Sequence, residues 1–232
     1  MHDDPFGTYG DIRLDLMSDP EGFRVLITRH GEQRSLFVSN VGSGEPTVIP
    51  VVPDRPVVFV PRVPISVLPQ AVFTVAPVVP VWLRILGPGR GRETHTIEEV
   101  PSVIQKKTWS GSAENGEPAY LLEYDNESEA PAAYGRHEFR VPIEIRNSSG
   151  AILIVERLVV RVVHLDLFLQ NERLRTNGIT YDFRGKDQES RISFERSAHV
   201  ERTGGVKISS ARLNVSTDII KKSFYWIRDL AV

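Results

Sequence analysis

The sequence predicts an all-β protein, with two antiparallel β-sandwich-like domains and a C-terminal α-helix. Three observations predict it. The stretch Glu45 to Gly91 holds ten of the sixteen prolines, separated by Val, Ile, Leu and Phe. Proline interrupts helices and cannot donate to a central sheet ladder, while the β-branched residues favour a pleated surface. Apolar residues elsewhere alternate with polar ones at period two. Turn signals recur about every ten residues, the rhythm of an antiparallel sandwich.

The first elements are strands. Ile12, Leu14 and Leu16 face one way; Phe23, Val25 and Ile27 repeat the pattern; the turn His30-Gly31-Glu32 follows, and Leu36 and Val38 return. This is a hairpin signature. The Pro-rich stretch is read as short and edge strands near Val57–Val60, Ala71–Val75 and Val81–Leu86, ending at Gly87-Pro88-Gly89. Glu93–Val100 is one more strand. The turn rhythm restarts after Pro101–Gln105, so residues 1–103 are expected to form a Pro-rich N-terminal β domain and residues 104–232 a second sandwich. Its strands are expected at Lys107–Ser110, Ala119–Tyr124, His137–Ile145, Ala151–Arg157, Val159–Leu169, Gly178–Phe183, Arg191–Glu195 and Val206–Leu213. Turns at Glu114-Asn115-Gly116, Asn147-Ser148-Ser149-Gly150, Asn177-Gly178 and Thr203-Gly204-Gly205 separate them. Only the C-terminus reads as a helix, over 217–232: Ile219, Ile220, Phe224, Trp226, Ile227 and Leu230 share one arc, opposite Lys221, Lys222, Tyr225 and Arg228.

Composition bounds the function. The chain is 41% hydrophobic and 25% charged, with a net charge of −2. That is a globular composition without the basic excess of a nucleic-acid-binding surface. It has no cysteine, which excludes disulfides, thiolate metal sites and cysteine nucleophiles. No apolar run reaches the ~20 residues of a membrane helix, and the acidic start is unlike a signal peptide. A cytoplasmic protein without direct membrane insertion is expected.

No catalytic, metal or cofactor set emerges, so an enzyme is not expected. His164 and Asp166 share the period of one strand face, but a metal would need further ligands. The acidic residues between Glu114 and Glu129 lack the register of a calcium loop. Gly87-Pro88-Gly89-Arg90-Gly91-Arg92 lacks the ending of a phosphate loop and reads first as a turn. Its arginines, with Arg84, form a candidate anion site. The apolar helix face, with Phe224, Trp226, Ile227 and Leu230, together with Tyr225 of the opposite arc, is the candidate partner interface.

The order of features resembles a prokaryotic, largely archaeal, family of unknown function, often encoded beside small-conductance mechanosensitive channel genes. The resemblance rests on Phe6-Gly7-Thr8-Tyr9-Gly10, Val48–Pro64, Lys107-Thr108-Trp109-Ser110-Gly111 with Asn115-Gly116, Val141–Asn147, Glu156-Arg157-Leu158-Val159-Val160 and Ile219–Trp226. It departs from that family's pattern at Glu117-Pro118-Ala119-Tyr120, where the family carries a more aromatic stretch. The resemblance implies an all-β accessory protein linked to a membrane channel and carries over no site residue. The expected function is a non-enzymatic interaction module, an accessory or regulatory partner of a mechanosensitive channel or a self-associating protein. The alternative is a small-molecule or anion sensor that binds between the two β domains near Arg84, Arg90 and Arg92.

Overall fold

The prolines of the central stretch punctuate strands instead of preventing them. Val57–Pro61 shows how: Pro56 precedes it and Pro61 closes it, so residues 57–60 keep every N–H, and Val57, Val58 and Phe59 are completely buried. The computed structural model describes residues 6–39, 44–89, 93–111, 114, 116–124, 137–185, 188 and 190–214. The expected helix 217–232 lies outside the described residues.

In chain order the strands are β1 (Gly7–Tyr9), β2 (Ile12–Asp19), β3 (Gly22–Arg29), β4 (Glu32–Ser39), β5 (Thr47–Val51), β6 (Val57–Pro61), β7 (Ile65–Val67) and β8 (Val72–Val75). Then come β9 (Val78–Pro80), β10 (Trp82–Pro88), β11 (Thr94–Pro101), β12 (Lys107–Ser110), β13 (Glu117–Tyr124), β14 (Glu138–Arg140), β15 (Ile143–Asn147) and β16 (Leu153–Val155). The series closes with β17 (Leu158–Val160), β18 (Leu167–Gln170), β19 (Arg173–Thr176), β20 (Ile179–Phe183), β21 (Arg191–Phe194), the short helix α1 (Ser197–Arg202) and β22 (Val206–Ser209). The fold is all-β and sandwich-like, as expected.

The chain divides into two units that interleave in sequence. Residues 1–51, 80–104 and 135–137 form one; residues 52–79, 105–134 and 138–232 form the other. One crossing between the units falls between residues 104 and 105. Residues 52–79, expected in the first domain, lie in the second unit because their strands pair there.

The first unit contains the sheets β1-β2-β3-β4 and β11-β10-β5. Ile12, Leu14, Val25 and Ile27 from one and Val48, Leu83, Ile85 and Val100 from the other are buried, the alternation that hides one face of each sheet. The sheets approach closely at Gly87, where a Cβ would stand 2.8 Å from Ile97 Cδ1 and 3.3 Å from Val38 Cγ1. β3 and β4 are joined by His30-Gly31, both at positive φ (49° and 84°), the conformation of a tight hairpin turn. β5 carries Pro50 and is an edge strand, as its proline requires.

The second unit contains β12-β13-β6-β17, β22-β18-β19-β14-β9, β21-β20-β15-β8 and the pair β16-β7. The expected antiparallel order gives way to mixed sheets, with β13 parallel to β6, β14 to β19 and β15 to β20. β6 is the short strand expected near Val57–Val60, but it is central rather than at an edge. Two expected strands are broken. His137–Ile145 divides at Val141-Pro142, where Val141 N–H leaves the ladder for Pro77 O (3.0 Å). Val159–Leu169 divides at a single 3₁₀ turn, Val162–His164, closed by Leu165 N–H on Val162 O (2.9 Å). A continuous apolar run has no periodicity to mark such a turn. The Asn147 turn is held by its amide, which donates to Val67 O (2.9 Å) and Ala151 O (2.7 Å). Among the described residues, no helix is long and apolar enough to cross a membrane.

Candidate functional site

The arginines of the candidate anion site separate. Arg84 lies on β10 directly opposite Glu99 of β11, and its Nε donates to Glu99 Oε1 at 2.5 Å, so its charge is already balanced. Arg90 and Arg92 lie outside the described residues, as do Phe224, Tyr225, Trp226, Ile227 and Leu230. His164 and Asp166 do not act together. His164 sits in the 3₁₀ turn, where its Nδ1–H donates to Leu213 O (2.9 Å) and burial lowers its pKa, keeping the ring neutral. Asp166 turns to other partners.

The described residues place their clearest site on the outer face of β21-β20-β15-β8. Register sets Thr74 opposite Glu144, Glu144 opposite Thr180 and Thr180 opposite Ser193. Register partners project to the same side of a sheet. Hence one polar row crosses four strands. Their neighbours Val75, Ile143 and Ile179 point into the core and are buried. Over this row lies an open pocket of about 620 Å³, which Arg146, Pro142, Gly178, Phe194 and Glu195 also line.

The charged groups of the pocket are internally arranged. Glu144 accepts from Arg146 Nε at 2.5 Å along β15. Glu195, at the end of the pocket, accepts from Gly178 N–H (2.8 Å) and Arg175 (3.3 Å) through Oε2, and faces His199 Nε2 at 3.5 Å through Oε1. Asn177 supports that end: its amide donates to Glu195 O (2.8 Å), and its Oδ1 accepts from Asp166 N–H (2.9 Å). The pocket thus presents hydroxyls, one balanced ion pair and one fixed carboxylate among apolar walls that include Ala76, Pro142 and Phe194. Such a surface can hydrogen-bond to backbone amides and to side chains of either sign.

Behind it, Asp166 ties three segments together. It accepts from Lys207 Nζ (2.8 Å), Ala211 N–H (2.7 Å) and the Ser197 hydroxyl. Burial alone would raise its pKa, but these donors outweigh it and hold the carboxyl below its ordinary value. A group with a depressed folded pKa contributes stability that is present above its unfolded pKa and lost as pH falls through the folded one. Asp166→Asn is therefore expected to cost roughly 1–3 kcal/mol at neutral pH, the scale for buried groups losing their partners. The gap to the native chain should close as pH falls below the ordinary aspartate range. Urea midpoints measured from neutral to acidic pH check this, and a gap that is constant with pH would assign Asp166 another role.

Sequence reasoning missed the pocket. Thr74, Glu144, Thr180 and Ser193 come from four separate strands, and only strand register unites them. The alternation of Thr180 and Asp182 with buried residues was the available signal, but it marks any solvent-facing strand.

A family model described as a protein of unknown function (DUF432) matches residues 2–228 of the chain. No curated protein and no solved structure matches it.

Proposed function

The chain belongs to this family of unknown function, and on that premise we propose that it is a non-enzymatic interaction module whose binding surface is the pocket on β21-β20-β15-β8. The observation that supports this most is the open row Thr74–Glu144–Thr180–Ser193. Sites for small molecules bury most of the ligand in an enclosed cavity, whereas this pocket is open. An open sheet face with hydroxyls and both charges suits a segment of another protein instead. The resemblance read from the sequence supplies the partner class, a small-conductance mechanosensitive channel, met from the cytoplasm. The anion-sensor alternative is weakened by the Arg84–Glu99 pair, since only Arg90 and Arg92 remain for it.

Capture from native membranes tests the reading. Thr180 is half-buried at the centre of the row, so Thr180→Trp fills the pocket from its floor while leaving the inner face untouched. The variant is expected to keep its melting temperature and to recover roughly tenfold less channel protein, equivalent to about 1.4 kcal/mol of binding. Equal recovery by native chain and variant would show that the pocket is not the surface used.

A further inference from the structure

Sheets protect their edges, and most edges of this protein are protected. β1, β7, β16 and β17 are three residues long; β8, β12, β21 and β22 are four. β5 carries Pro50, β9 ends on Pro80, and β11 is bulged opposite Ile85/Leu86 and ends on Pro101. Shortness, proline and bulges are the devices that stop one edge from pairing with another chain.

β4 has none of them. It runs eight residues in unbroken register with β3, contains no proline, and ends its sheet. Among the described residues, no strand pairs with its outer side. Its charges, Glu32 and Arg34, lie at one end, and Arg34 is paired with Glu98; the rest is Ser35-Leu36-Phe37-Val38-Ser39. Phe37 is 48% exposed and Met17, two strands away in the same row, is 51% exposed, with Arg24 between them.

We infer that β4 is the dimerisation edge of this protein, pairing antiparallel with β4 of a second copy. The two-residue turn makes Arg29 and Glu32 a hydrogen-bonded pair. In an antiparallel ladder such pairs alternate with open ones. Residues 32, 34, 36 and 38 therefore aim their backbone groups at β3, and Gln33, Ser35, Phe37 and Ser39 aim theirs outward. A two-fold axis perpendicular to the sheet brings like faces together, so even residues meet even and odd meet odd. Centred on Arg34, it would oppose two guanidiniums. Centred on Leu36, it sets Ser35 against Phe37 and Gln33 against Ser39, with the apolar Leu36 on the axis and no like charges opposed. The strand is self-complementary in that register, which favours a second copy over a foreign strand. The inference is independent of the pocket on the second unit.

Sedimentation of the full chain tests it. The native protein is expected to have twice the chain mass, and Phe37→Lys and Ser35→Pro are expected to be monomeric with unchanged circular dichroism. A native monomer at every concentration would overturn the inference, whether β4 is left bare or bound by another protein. So would folded variants that remain dimeric. A cysteine measurement covers the case in which a variant misfolds. The chain has no natural cysteine, so Ser35→Cys introduces a single thiol. It should cross-link to its counterpart through a short bis-maleimide, whereas Thr74→Cys on β8 should not. Failure of Ser35→Cys to cross-link, or equal cross-linking by both, would also overturn it.

Discussion

Residues 104–232, produced without residues 1–103, are expected to be unfolded, and to recover structure only when the two fragments are mixed. The reason is β6. In the sheet β12-β13-β6-β17 it lies between β13 and β17, registered Tyr120 to Val57 on one side and Leu158 to Phe59 on the other. A cut after residue 103 leaves β6 on one fragment and both its partners on the other. The same cut parts β7 from β16 and β8 from β15. The larger fragment would then lack one strand from each of its four sheets, while the smaller would keep both sheets of the first unit and carry residues 52–79 with nothing to pair against. Each completely buried aliphatic or aromatic side chain returned to water costs roughly 1.5–3 kcal/mol. Val57, Val58 and Phe59 alone approach the ~5–15 kcal/mol that holds a typical domain together. Circular dichroism and thermal melts of each fragment and of the mixture check this. A cooperative melt from residues 104–232 alone would show that the second unit folds without the strands of residues 52–79.

Phe59→Ala is expected to cost about 3–5 kcal/mol. Phe59 is completely buried and its ring lies 5.0 Å from that of Tyr124, tilted by 43°. Its strand is bonded on both sides, so the backbone cannot shift to fill the space the ring leaves. Tyr181, also buried, shows how the same core treats a polar aromatic: its hydroxyl donates to Val159 O at 2.8 Å, and burial raises its pKa well above the ordinary tyrosine value. Denaturant unfolding of Phe59→Ala beside an exposed comparison, Trp109→Ala, would test the assignment. Trp109 is 46% exposed on β12, where truncation should cost well under half as much. Similar losses at both positions would mean that β6 does not hold the core.

The sequence showed much of the local structure and little of the site. The hairpin of β3 and β4 was legible from alternation and His30-Gly31, because a two-residue turn with glycine has few alternatives. Another tight hairpin was not. β18 and β19 turn through Asn171 and Glu172 at φ 50° and 62°, and a glutamate in that conformation carries no sequence signal. α1 was missed because six residues with one buried side chain, Val200, make too short a periodic pattern. The Pro-rich stretch was correctly extended, but its prolines suggested edges, whereas Pro56 and Pro61 flank a central strand.

By itself, the sequence determined the all-β class, the strand-by-strand alternation and most turns, because these depend on contacts within a few residues. Strand partners outside the hairpins were decided only by the tertiary structure, since those pairings join side chains distant in sequence. That is why 52–79 joins the second unit, why three pairings are parallel, and why Thr74, Glu144, Thr180 and Ser193 share one face. It is also why β4 stands out: a long, proline-free strand is unremarkable in sequence, and only its place at the end of a sheet makes it an open edge.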